Sequence, residues 1–235
     1  MNGKYLKYAI GEIVLVVVGI LLALYINNLN EERKNRQTEQ DILENLKTEL
    51  LKIQSDLEET IQRHQWSHKA GLTLLGYFGK DISTPPVRTL DSLLSLTETA
   101  WTFESRDGYI KSIIATGNID YIRNEQLKSL LTAYEGSVED ATEENKKVEM
   151  LYHDRLWPTI DGKINLIDRL KAYGPQYNAF PNGSYQSDYQ WFFQSRIVED
   201  IISNIEGWRV SVMQDEQKLM VFLNEMVDLI DVELK

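Results

Sequence analysis

Two patterns of apolar residues divide the chain. Between Tyr8 and Ile26 the sequence YAIGEIVLVVVGILLALYI is apolar around its whole circumference, 19 residues with one charge, Glu12. As a helix this is roughly 28 Å long, close to the ~30 Å hydrocarbon core of a bilayer. Its 12 Leu, Ile and Val residues favour insertion by roughly 5 kcal/mol, at about 0.4 each. Glu12 opposes that by at most about 3 kcal/mol, and by less because it stands near one end. The balance predicts a membrane-spanning helix, with Tyr5, Tyr8 and Tyr25 at the interfacial levels. Lys4 and Lys7 ahead of it also fit a signal-peptide leader. The apolar run is longer than such a leader needs, however, and no small-x-small cleavage site follows, which favours an uncleaved anchor. Charge leaves the orientation open, with Lys4 and Lys7 on one flank and Arg33, Lys34 and Arg36 on the other.

Beyond the span, apolar residues recur every three or four positions. Leu43, Leu46, Leu50, Ile53, Leu57 and Ile61 predict one long helix from Asn30 to about Gly79 that buries a single stripe. The repeat is barely three heptads, too short to specify a coiled coil. Gly76, Gly79 and Ser83–Thr84–Pro85–Pro86 end this helix and form a linker. Leu90–Leu96 and Tyr109–Thr116 read as short helices, the second closed by Gly117–Asn118. Asn124 is a suitable N-cap for a further helix with Leu127, Leu131, Tyr134, Val138, Ala141, Val148, Leu151 and Tyr152 on one stripe. Pro158 is expected to stop it. From Ser187 the chain reads as helical to its end, with Ile201, Ile205, Trp208, Val212, Leu219, Leu223, Met226 and Ile230 inward and a possible kink site at Gly207.

Between these helices lies an irregular, aromatic segment. Tyr173, Tyr177, Phe180 and Tyr185 are followed closely by Tyr189, Trp191, Phe192 and Phe193. Two readings stay open: a recognition loop carrying aromatic anchors, or a cap that packs rings over the open end of the core. The fold class that follows is all-α. An N-terminal transmembrane helix continues into an elongated antiparallel bundle of about four main helices. The expected divisions are a tail over 1–7, the span over 8–27 and an acidic bundle over 28–235.

Composition narrows the partners. The 235 residues carry 25 Lys and Arg against 36 Asp and Glu, a net charge of −11. All of the excess lies beyond the span, because residues 1–37 hold five basic and three acidic residues. Such a body repels phosphate backbones, so no nucleic-acid partner is expected. The absence of cysteine excludes thiol catalysis, disulfides and Cys-ligated zinc. No phosphate-cradling glycine loop, nucleophile elbow or His-Glu-x-x-His motif occurs. Glu139, Asp140, Glu143 and Glu144 read as a solvated helix face, since no calcium-loop spacing accompanies them. His64 and His68 stand at i and i+4, a spacing that can hold one metal if His153 completes the set. They also continue the apolar stripe from Leu57 and Ile61 to Leu72, which favours partly buried histidines with satisfied hydrogen bonds. No cofactor is expected.

Two stretches resemble a known family. YAIGEIVLVVVGILLALYINNLNEERK, over Tyr8–Lys34, is similar to the opening of an uncharacterised family of single-pass membrane proteins from Bacteroidota, a domain of unknown function. TGNIDYIRNEQLKSLLTAY, over Thr116–Tyr134, is similar to that family's Gly-x-Ile/Leu-x-x-Ile-x-Asn-x-x-Leu segment. The chain departs from the pattern at Leu29, where Trp is usual, and at Tyr25, where Gln is common. The resemblance implies a bacterial inner-membrane anchor with the amino terminus in the cytoplasm and the bundle in the periplasm. It implies no activity.

Three functional classes follow. The first is a membrane-anchored interaction, scaffold or sensor-like protein without catalysis, whose partners are the lipid bilayer and a membrane protein or further copies of itself. Its packing face is Gly19 and Ala23, a small-x-x-x-small pair on the same side as Tyr8, Glu12 and Ile26. The second is an accessory subunit of an ion-coupled membrane complex using Glu12, whose competing role is simply to snorkel towards the headgroups. The third is a metal-dependent enzyme built on the histidines.

Overall fold

The computed structural model describes residues 3–80 and 85–235, with side chains from residue 10 onward. The side chains of Lys4, Tyr5, Lys7 and Tyr8, and the Ser83–Thr84 part of the expected linker, lie outside the described residues. Among those described, the chain is helical with no strand.

The first helix, α1, runs unbroken over Gly3–Leu75, 73 residues and about 110 Å at 1.5 Å per residue. Nothing in the sequence between the span and the bundle interrupts it, because Asn27 to Asn30 lead straight into Glu31, Glu32 and Arg33 without Gly or Pro. Its two parts have opposite surroundings. From Ile10 to Leu29 the large apolar side chains are bare, Leu15 being 74% and Ile26 65% exposed, whereas Leu43, Leu46, Leu50 and Leu57 are completely buried.

Short helices α2 (Val87–Thr97) and α3 (Gly108–Ala115) follow. The N-terminal amides of α3 are capped from a distance: Tyr109 and Ile110 donate to the Glu49 carboxylate of α1 at 2.8 and 2.9 Å. Gly117, at φ +74°, closes α3 in the left-handed region, as the Gly–Asn pair predicts. Asn124 then caps α4 (Glu125–Leu151), its side chain accepting from the Leu127 amide.

The expected stop at Pro158 does not occur. After α4 the helix widens into a π-turn over Tyr152–Leu156 and continues as α5 (Trp157–Ile160), with Pro158 inside it. Proline lacks an amide hydrogen and its ring collides with the preceding turn of a regular helix. A widened turn immediately upstream relieves both conflicts. Helix α6 (Leu166–Tyr173) is followed by α7 (Tyr189–Gln194) and α8 (Arg196–Glu233). Helix α8 continues through Gly207 as one element.

Three long helices, rather than four, form the bundle. Helix α8 packs along both α4 and α1. The fourth corner is a broken column made of α2, the irregular segment 98–107 and α3, which packs on α1 and hydrogen-bonds to the α4 column. The predicted stripes of α1, α4 and α8 face inward, with Val138, Leu151 and Trp208 partly buried. Leu72 is the exception. It is 51% exposed, and the stripe passes instead through His64, Ser67 and Ala70 to Leu74.

Candidate functional site

The apolar core is not continuous. One cluster gathers Ile42 to Ile61 of α1 with Phe103, α3, the first half of α4 and Leu219 to Ile230 of α8. A second gathers Leu74 and Phe78 with α2, Val148 to Ile164, α7 and Val198 to Val212. Where they meet, and reaching into the second, every column contributes polar groups: His64, Ser67, His68 and Gly71 from α1, Thr97 to Trp101 from the broken column, Asn145 and Tyr152 from the α4 column, and Glu206, Arg209 and Glu216 from α8.

The belt is satisfied almost throughout. His64 is 2% exposed. Its Nε2 lies 2.8 Å from the Trp101 carbonyl oxygen and its Nδ1 3.0 Å from Glu216. A carbonyl only accepts, so Nε2 carries a hydrogen and donates it. Asn145 donates to the same Trp101 carbonyl at 2.9 Å. His68 Nδ1 meets Glu206 at 2.7 Å, and Arg209 Nη1 donates to the other Glu206 oxygen at 2.5 Å. Arg209 Nη2 donates to the carbonyls of Thr97 and Thr99 and to the Tyr152 hydroxyl. Tyr152, which stands in the π-turn, donates to the Thr97 carbonyl at 2.6 Å. Burial raises the Glu206 carboxyl above the ordinary carboxylate range against the pull of Arg209, and raises the Tyr152 phenol.

The end of α2 and the irregular backbone that follows it to Trp101 explain why the belt exists. Residues at the end of α2 and beyond it have carbonyls that no helical amide fills, and they are buried among three helices. Arg209, Tyr152, His64 and Asn145 supply the missing donors. Packing these polar groups together also fixes the axial register of α1 against α8, because a slip by one turn leaves charges against an apolar core.

A second buried ion pair lies beside the belt. Arg169 of α6 donates to Glu98, which burial raises to about 7 despite the guanidinium. The sign of the pH effect follows. Between about 4.5 and about 7 the folded chain holds a proton that the unfolded chain has released, so this group's contribution to stability falls as pH rises through that window. The whole effect is on the order of 3 kcal/mol. Urea unfolding at pH 5 and pH 8 is expected to show it as a loss in the wild type that Glu98→Gln abolishes. An identical pH slope in both proteins refutes the assignment.

The histidines do not converge on a metal. His153 is exposed on the π-turn, its ring edge-on to Trp157 at 4.4 Å, while His64 and His68 each face a carboxylate of α8. Among the described residues no group of three His, Asp or Glu side chains comes together with a geometry for a metal ion. Helical spacing brought two imidazoles to one face, and the third belongs to a different surface.

The aromatic segment divides between its two expected roles. Tyr189, Phe192 and Phe193 are buried, the two phenylalanines packing on Phe78 and Tyr189 on both of them, and they close the distal core. Tyr173, Tyr177 and Phe180 instead meet one another in tilted and edge-on contacts at the surface, and Tyr185 is 84% exposed. Capping therefore falls to the second half of the segment, in place of Tyr177 and Phe180. On the apolar part of α1, Glu12 and Ala23 are exposed, and a Cβ built on Gly19 meets nothing within 4 Å.

Glu206, Arg209, Glu216 and Gly71 are the belt residues that pattern reading missed, and Tyr152 was expected on the stripe without its hydroxyl's role. Part of the signal was present as gaps in the stripes: α1 loses apolar residues after Ile61, α4 between Ala141 and Val148 at Asn145, and α8 between Val212 and Leu219 at Glu216, whereas Glu206 and Arg209 stand beside the unbroken Ile205–Trp208–Val212 run.

The apolar part of α1, over residues 10–29, makes it the one helix among the described residues that is long and apolar enough to cross a membrane. Comparison with curated proteins and with solved structures gives no match. A family profile, described as a family of unknown function (DUF6090), matches residues 12–134. That region includes the first resembling stretch from Glu12 onward, the whole of the second, and the α1 and 97–101 sides of the belt, and it ends before α8. With more than half of its length matched, the chain belongs to this family of unknown function, DUF6090.

Proposed function

We propose that the protein is a membrane-anchored helical interaction module with no reaction of its own. It crosses the bacterial inner membrane once over residues 8–27 and holds its acidic bundle in the periplasm. The observation that supports this reading is the division of α1, whose bare apolar end and buried bundle end belong to one uninterrupted helix. Such a helix ties the bundle rigidly to the bilayer, and the belt holds α8 in register on it. In this reading the Gly19–Ala23 face packs against a second copy or another membrane helix, while Glu12 snorkels.

Alkaline carbonate extraction tests the anchor: the protein is expected to stay with the membrane pellet, and release into the supernatant refutes the span. Protease added to intact spheroplasts is expected to digest the bundle, and full protection until lysis reverses the orientation. In mild detergent, Gly19→Leu is expected to weaken self-association or partner binding, whereas Glu12→Gln leaves assembly intact. Loss of an in vivo phenotype in Glu12→Gln, with assembly unchanged, favours the ion-coupled subunit instead.

A further inference from the structure

The two stretches that resemble the family, Tyr8–Lys34 and Thr116–Tyr134, meet at the end of the bundle nearest the apolar part of α1. Arg123, in the connection between α3 and α4, joins them. Its backbone amide donates to the buried Glu39 carboxylate at 2.8 Å. Its side chain lies along α1, with Nε 3.6 Å from Glu39 and Nη2 3.6 Å from Glu32, seven residues nearer the apolar part. Both distances are too long for a hydrogen bond, so the half-exposed guanidinium keeps donors that the protein does not fill. Helix rise fixes the level. Glu32 stands five residues beyond Asn27, about 8 Å past the end of the span. Side chains on a helix lean towards its N-terminus, so the Glu32 carboxylate and the Arg123 tip beside it come closer still to the bilayer. The headgroup layer on each side of the hydrocarbon core is about 5–8 Å thick. Residues 28–35 are exposed throughout, and the connection beside them leaves Tyr121 40% exposed.

We infer that the α3–α4 connection is a foot resting on the lipid headgroups of the leaflet from which α1 emerges, with Arg123 donating to lipid phosphate and Tyr121 at the interface. The inference rests on the membrane reading of residues 8–27 and holds for either orientation. A guanidinium offers paired N–H donors that match phosphate oxygens. Tyrosine suits the interface because its ring is apolar and its hydroxyl is wet. Net charge does not carry the contact, since exposed Arg33, Lys34 and Arg123 are balanced by exposed Glu31, Glu32 and Asp120. Position and donor chemistry carry it, so zwitterionic headgroups suffice. One span alone leaves the tilt of a rigid helix open. A second contact beside it sets the tilt, and with it the direction in which the bundle stands from the membrane.

The chain has no cysteine, so one introduced thiol carries a fluorophore at one known position. Full-length Leu15→Cys, Asn118→Cys and Tyr185→Cys, all at exposed positions, are labelled with a nitrobenzoxadiazole dye and reconstituted into phosphatidylcholine vesicles. The vesicles carry nitroxide lipids labelled either on the headgroup or on the acyl chain. Acyl-chain nitroxide is expected to quench the label at Leu15. Headgroup nitroxide is expected to quench the label at Asn118 roughly twofold, and neither lipid to quench the label at Tyr185. In the Asn118→Cys background, Arg123→Gln is expected to remove at least half of that quenching and Arg123→Lys to retain it. Absence of quenching at Leu15 refutes the span, and the foot falls with it. Quenching at Leu15 with none at Asn118 beyond that at Tyr185 overturns the foot alone. Unchanged quenching in Arg123→Gln overturns the phosphate contact.

Discussion

Arg209→Met is expected to destabilise the bundle by about 3–5 kcal/mol, the usual cost of removing one partner from a buried charge pair. Arg209 is 1% exposed and donates to Glu206, to two backbone carbonyls and to the Tyr152 hydroxyl. Methionine fills a similar volume, so the loss comes from polar groups left without donors more than from a cavity. All five tryptophans, Trp66, Trp101, Trp157, Trp191 and Trp208, lie in the bundle. Urea unfolding followed by tryptophan fluorescence in mild detergent therefore reports the bundle alone. The double variant Glu206→Gln with Arg209→Met is expected to recover part of the loss, because it removes the stranded carboxylate. A cost under about 1 kcal/mol for Arg209→Met alone would show that water or a rearranged Tyr152 satisfies the belt equally well.

Gly71→Ala is the second large effect, and its sign opposes helix propensity. Alanine in place of glycine inside a helix ordinarily stabilises by about 0.5–1 kcal/mol. At Gly71 the added Cβ would lie 2.0 Å from Glu206 Oε1 and 2.3 Å from its Cδ. That carboxylate is held between His68 at 2.7 Å and Arg209 at 2.5 Å, so it cannot move aside without breaking both contacts. A net loss of about 2–3 kcal/mol is expected, the range for unsatisfying a buried charged hydrogen bond. Gly136 and Gly207 supply the control within the same molecule. A Cβ at either position meets nothing within 4 Å, so alanine there is expected to raise stability by up to about 1 kcal/mol. The same urea measurement decides between them, and stabilisation at all three positions would mean that Glu206 is free to relocate.

The sequence by itself determined the elements whose signals are local. Continuous apolarity at Tyr8–Ile26 makes a helix without a polar face, and the three-and-four spacing from Leu43 to Ile61 makes one with a single buried stripe. Gly117 closes α3 and Asn124 opens α4 through φ and a side-chain acceptor, chemistry confined to neighbouring residues. The continuation past Pro158 was not legible, because it depends on a π-turn whose Tyr152 is held by carbonyls 55 and 53 residues away in sequence.

The tertiary structure alone decided where the polar gaps in the stripes go. Each gap read in isolation is a weak place in an amphipathic pattern. Brought together, they become a belt in which His64 faces Glu216 and Glu206 fits only because Gly71 has no side chain. Likewise Arg169 and Glu98 lie far apart in the chain, and only the packing of α6 on α2 makes them a buried pair at the edge of a cleft. Periodicity records how strongly a position prefers to be buried. Which polar groups satisfy one another once buried depends on distances between helices, and those are set by the packed bundle as a whole.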